Sequence, residues 1–181
     1  MEGIVRSGRA RLAQPVSLLL VSLAFSVMRS TLVAQTGVSA SIVNRTAPNF
    51  SRVDLSHRKI ELRFFRGKIV LLNFWATWCA PCLTEIPTFT EWQTQYGAEK
   101  FQVIGVSMDD AASEVIATIP KMKFNYPVLM GDEHLGVAYG GVLGLPVTYL
   151  IDRDGKIRAR YQGAADLIRI KGDIQKLLNS Q

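Results

Sequence analysis

From Pro48 onward the apolar and polar positions follow a succession of short rhythms. Phe50, Val53 and Leu55 are spaced like one edge of a strand. Ile60, Leu62 and Phe64 alternate with Glu61 and Arg63, which predicts a second strand after a polar turn at Ser56–Lys59. Gly67-Lys68 breaks the chain, and Ile69–Trp75 is then almost unbroken apolar, as expected of a central strand covered on both faces. Pro81–Tyr96 has helical spacing, with Leu83, Ile86, Phe89 and Trp92 apolar and Gly97 as its stop. Pro87 within it predicts a kink or a late start. Phe101–Val106 predicts another buried strand. Ala111–Met122 predicts a helix capped by Asp109-Asp110, which Pro120 would end early. Strands are expected at Tyr126–Met130 and Val147–Ile151, with a short helix at Leu135–Tyr139 before Gly140-Gly141. Asp154-Gly155 predicts a tight turn into a strand at Ile157–Tyr161, and Leu167–Leu178 a closing amphipathic helix. Strands that alternate with helices, then a terminal hairpin and helix, predict an α/β fold with a mixed central sheet flanked by helices.

The first residues follow a different pattern. Arg6, Arg9 and Arg11 precede an uncharged, mostly apolar run of 13 residues, Val16–Met28. That length suits the core of a signal peptide and falls short of the roughly 20 residues of a membrane span. Ala34, before Gln35, and Ala40 stand at candidate cleavage points. Arg29 at the end of the run fits an uncleaved anchor starting near Leu12 better. Residues 1–34 are therefore read as a signal peptide or N-terminal membrane anchor, and the small, polar stretch 35–46 as a tether. The predicted location is extracytoplasmic. The lack of acidic residues between Glu2 and Asp54 also fits import into an organelle.

Composition narrows the function classes. With 181 residues, 48% hydrophobic and 20% charged, the chain suits a folded domain. The net charge is +6, but half of it lies in residues 1–34, and no dense Lys/Arg run tracks phosphates, so no nucleic-acid partner is expected. Two cysteines cannot staple a disulfide-rich scaffold, and a domain of this size buries enough surface to fold without them. Both are free for chemistry.

Those cysteines stand in Trp75-Ala76-Thr77-Trp78-Cys79-Ala80-Pro81-Cys82, where a predicted strand meets a predicted helix. Cys79 at the helix start would face unpaired backbone N–H groups and the positive end of the helix dipole, which favours its thiolate. Cys82, one turn in, would be more buried and would resolve a mixed disulfide. Pro81 suits the first turn because its missing N–H has no partner there. A lone C-x-x-C is weak evidence, but between strand and helix in a chain with no other cysteine it is specific.

Four stretches carry a family likeness: APNF at 47–50, GKIVLLNFWATWCAPCLTEIP at 67–87, VIGVSMDD at 103–110 and GLPVTYLIDRDGKI at 144–157. With them, residues 47–181 resemble the thioredoxin superfamily, and more narrowly its exported, TlpA/ResA-like thiol–disulfide oxidoreductases. The resemblance implies a thioredoxin fold with an added N-terminal β-hairpin and a central insertion. It implies Cys79 as attacking thiol, Cys82 as resolving thiol, and Pro146 as a cis-proline facing them. Trp78, Leu145 and Pro146 would line the substrate. Glu85, three residues after Cys82, would share its helix face and take part in proton handling. Asn73 stands where thioredoxins keep a buried aspartate. An amide cannot accept a proton near neutral pH, which leaves Glu85 as the better base.

The predicted reaction is dithiol–disulfide exchange that reduces protein disulfides, for example in cytochrome c maturation or oxidase assembly. No cofactor is required, because the cysteine pair carries the electrons. Partners would be proteins with disulfides or thiols, and a membrane thiol donor that regenerates the dithiol. Other chemistries stay open. A disulfide-forming oxidase shares the motif. A copper metallochaperone could use Cys79 and Cys82 with His134, although that class has wider cysteine spacing. A peroxidase would carry Pro and Thr where Leu72 and Ala76 stand. No metal is expected, since zinc usually takes four ligands and only His57 and His134 remain.

Overall fold

The computed structural model describes residues 41–180; the predicted leader, 1–34, and the first part of the tether lie outside them. In chain order the described residues form β1 (Ser51–Val53), β2 (Lys59–Glu61), β3 (Ile69–Trp75), α1 (Ala80–Tyr96), β4 (Phe101–Ser107), α2 (Ala112–Met122), β5 (Val128–Met130), α3 (Glu133–Ala138), β6 (Val147–Ile151), β7 (Ile157–Gln162) and α4 (Leu167–Asn179). The main sheet has five strands in the order β5-β4-β3-β6-β7. β3, β4 and β5 run parallel, and β6 and β7 are antiparallel to their neighbours. β1 and β2 pair as a separate antiparallel hairpin. This is the expected mixed α/β sheet with the added hairpin. In the region of the expected insertion, α2 leads into β5, which forms the outer edge beside β4.

The nearly unbroken apolar run of β3 has the predicted cause: all seven residues are buried, Asn73 included. Side chains alternate across the sheet. Ile69, Leu71 and Trp75 join Ile86, Phe89 and Trp92 of α1 and Ile170 and Ile174 of α4 in one apolar cluster. Val70, Leu72 and Phe74 join Phe50 and Ile60 of the hairpin and Leu135 and Tyr139 in a second. Truncating a fully buried member such as Phe89 to alanine costs about 3–5 kcal/mol, through lost transfer energy and the cavity left behind.

Several local expectations are corrected. The second hairpin strand ends at Glu61, and Leu62–Phe65 winds into a 3-10 turn instead. Leu62 N–H donates to the Phe50 carbonyl, and Phe64 is 64% exposed, so the apolar alternation outlasts the strand. α1 and α2 run through Pro87 and Pro120. Each proline removes one helical hydrogen bond, and in α1 six buried side chains hold the helix together regardless. Gly97 keeps a helical backbone and opens a short 3-10 turn. The left-handed residue that ends this segment is Lys100, at φ 65°.

The chain before β1 is held on the outer side of β7. Asn44 N–H donates to the Ile157 carbonyl at 2.7 Å, and Ile157 N–H to the Arg45 carbonyl at 2.9 Å. At the opposite edge, Leu55 N–H donates to the Val128 carbonyl at 2.9 Å, and Asp54 bridges Leu129.

Candidate functional site

β3 delivers the chain to the site. Trp75 closes the strand, Ala76–Trp78 turn, and Cys79 caps the N-terminus of α1 with an extended backbone. Its N–H donates to the Ala76 carbonyl at 3.1 Å, which closes the turn. Pro81 lies in the first turn of α1, as expected. Cys79 and Cys82 are joined by a disulfide, with Cα atoms 5.3 Å apart. The Cys79 Sγ also accepts a hydrogen bond from Cys82 N–H at 3.3 Å, so it faces the free N–H end of the helix. Both cysteines are buried, at 4% and 1% exposure, while Trp78 beside them is 69% exposed. A disulfide placed this way can take two electrons and open to a dithiol whose first sulfur sits in the positive field of the helix.

The Leu145-Pro146 peptide is cis. Val147 pairs with Phe74, so continuing that antiparallel register sets Pro146 opposite Trp75, at the end of β3 that leads to Cys79. Pro146 is buried and its carbonyl accepts from Gly163 N–H at 2.9 Å. Leu145 packs against the apolar cluster that contains both cysteines. The structure thus places Trp78 in the cysteine turn and Leu145 against the apolar cluster that both cysteines join.

Glu85 is 3% exposed, one turn after Cys82 on α1. One carboxyl oxygen accepts from Ala165 N–H at 2.9 Å, and the other is buried without a partner. Burial pushes this carboxyl above the ordinary glutamate range, against the opposing pull of the Ala165 N–H. Asn73 is buried in β3 and its Nδ2 donates to Thr148 Oγ1 at 2.9 Å across the sheet.

One expectation beside the site is overturned. Asp109-Asp110 does not cap α2, whose first cap residue is Ala111 with no side-chain bond. Asp109 is buried and turned inward, and accepts from Thr77 and Ser107. The signal available in the sequence was a carboxylate just past a buried strand, parallel to the strand that carries the cysteines. Among the described residues, no three His, Cys, Asp or Glu side chains converge as metal ligands, and no helix is long and apolar enough to cross a membrane.

The AhpC/TSA family model matches residues 43–160. The thiol-disulfide oxidoreductase ResA of Bacillus thuringiensis subsp. konkukian is 33% identical over 135 residues, which cover 75% of this chain and 78% of that protein. The thioredoxin-like protein YneN of Bacillus subtilis is 37% identical over 120 residues, covering 65% and 69%. A solved thiol:disulfide interchange protein of the thioredoxin family from Chlorobium tepidum superposes with a TM-score of 0.69 at 27% identity, covering 74% of this chain and 96% of that one. The chain accordingly belongs to the AhpC/TSA family, and within it to the ResA-related thiol–disulfide oxidoreductases of thioredoxin fold.

Proposed function

We propose that this oxidoreductase works outside the cytoplasm as a reductant of protein disulfides, with Cys79 as nucleophile and Cys82 as resolving thiol. The observation that carries the reading is the buried Cys79–Cys82 disulfide on the N-terminus of α1, flanked by the exposed Trp78. In the reduced chain, the Cys79 thiolate attacks one sulfur of a substrate disulfide. A mixed disulfide forms, and the other substrate sulfur leaves as a thiolate and takes up a proton. Cys82 then loses its proton and attacks Cys79 Sγ. The second substrate sulfur is released, also protonated, and the disulfide seen in the structure remains. Two electrons pass to the substrate, and an external dithiol donor, proposed to be membrane-bound, restores the pair.

Glu85 is the proposed proton acceptor for Cys82. It lies one turn away, and burial keeps its carboxyl ready to hold a proton. Trp78, Leu145 and Pro146 form the proposed surface for the substrate chain. No cofactor enters the cycle. Residues 1–34 are proposed to export or anchor the domain, and apocytochrome c thiols or oxidase-assembly cysteines are the proposed clients.

The test is the redox equilibrium of the full chain in defined glutathione and dithiothreitol buffers, read by alkylation of Cys79 and Cys82. A two-electron transition near or below about −220 mV supports the reductant. A transition near about −120 mV turns the reading to a disulfide-forming oxidase. If no oxidising buffer forms the disulfide in solution, exchange is wrong and a copper-binding module takes its place.

A further inference from the structure

The geometry points to Asp109 as the residue that positions the nucleophile turn. This role rests on the exchange reading above. Trp75 pairs with Ser107 in the parallel β3–β4 ladder, so the two strands leave the sheet side by side. Thr77 lies two residues past Trp75, and Asp109 two residues past Ser107. Met108 N–H donates to the Trp75 carbonyl at 2.8 Å and ties the two exits together.

The Asp109 carboxylate then fixes the turn. Thr77 N–H is shared between its two oxygens at 3.1 and 3.0 Å, and Thr77 Oγ1 donates to Oδ1 at 2.6 Å. Ser107 Oγ donates to Oδ2 at 2.7 Å and accepts from Asp109 N–H at 3.1 Å, which locks the carboxylate itself. Asp109 is 5% exposed, so water competes little for these bonds. Among the described residues, no other side chain hydrogen-bonds to Ala76, Thr77 or Trp78. The turn has two consequences for the reaction. It sets where Trp78 projects, and it sets how Cys79 Sγ meets the N–H groups of α1. Small misplacements of a reacting group carry large rate penalties.

The test compares Thr77→Val, Thr77→Ser and Asp109→Asn with the parent in the full chain. Valine keeps the shape of threonine and loses the hydroxyl bond. Serine keeps it. Asparagine keeps the shape of aspartate but turns an N–H2 group toward two donors. Two readouts are taken on the reduced chains: the pH profile of Cys79 alkylation by iodoacetamide, and the equilibrium with the glutathione couple. The expected result is a displaced alkylation profile and a glutathione equilibrium changed by about tenfold in Thr77→Val and Asp109→Asn, the scale of one hydrogen bond to a charged group. Thr77→Ser returns both to the parent values. If Thr77→Val and Asp109→Asn both give the parent's profile and equilibrium, however far their melting temperatures fall, the positioning role is overturned and Asp109 only stabilises the fold. A parent chain that exchanges nothing with glutathione overturns the exchange reading and this role with it.

Discussion

Glu85 reaches from α1 to the backbone N–H of Ala165, 2.9 Å away, and so joins the cysteine helix to the segment that opens α4. Its second oxygen has no partner and is shut off from water. The folded-state carboxyl therefore titrates above its unfolded value. A raised carboxyl favours folding while it is protonated, and that advantage is lost as pH climbs through the folded value. Replacing Glu85 with glutamine removes the titration. The melting temperature of Glu85→Gln relative to the parent should rise as pH climbs from about pH 4, and level off once the folded carboxyl is ionised. A difference that does not change with pH would mean that the carboxyl is solvated. The same variant should lose the rise of the exchange rate that tracks Glu85 ionisation if Glu85 takes the Cys82 proton.

The two cysteines should separate cleanly in a trapping experiment. Cys82→Ser leaves a nucleophile that cannot be displaced, so mixed disulfides through Cys79 should accumulate and be visible on non-reducing gels. Cys79→Ser should trap far less, because Cys82 is 1% exposed. Equal trapping by both variants would remove the assignment of attacking and resolving roles.

Trp78 is 69% exposed, so truncating it touches little of the core. Trp78→Ala should change stability by no more than about 0.5 kcal/mol. It should slow exchange with a disulfide-bonded unfolded polypeptide by several-fold, and more than exchange with glutathione, which offers no chain to lie against the indole. Equal slowing of both reactions would place Trp78 in the chemistry instead of the docking.

Asn73 offers a test of the strand beneath the site. Asn73→Asp would put a carboxylate in a position that is 2% exposed, with Thr148 Oγ1 beside it. Burial disfavours the charged form, so the variant should be destabilised at about pH 8 by roughly 2–5 kcal/mol, with the deficit shrinking toward about pH 4. Chemical denaturation at the two pH values measures this. A pH-independent deficit would show that the new carboxylate reaches water.

The cysteine motif, its strand and its helix could be read from the sequence because local signals carry them: a nearly unbroken apolar run, a proline in the first turn, and buried positions spaced three or four apart. The cis peptide at Leu145-Pro146 was expected only through the family resemblance carried by the stretch 144–157. What escaped depends on partners distant in the chain. Asp109 looks like a cap when only α2 is considered, yet Thr77, 32 residues earlier, claims it across the β3–β4 ladder. Leu62 and Phe64 keep the period of a strand, but no strand lies beyond Glu61 to pair with them, so the backbone closes on itself. Proline normally breaks helices, and α1 continues through Pro87 because its buried face outweighs one missing hydrogen bond.

Residues before and within the hairpin bear on what can pair with the edges of the main sheet. Asn44 and Arg45 occupy the outer side of Ile157, and Leu55 that of Val128, so both outer strands begin under cover. Exposed strand edges are templates on which any extended chain can register. A thiol–disulfide oxidoreductase, which exchanges with protein thiols and disulfides, meets that hazard whenever the partner chain is extended. With those backbone groups already engaged by its own chain, the first residue of each outer strand is closed to an added strand.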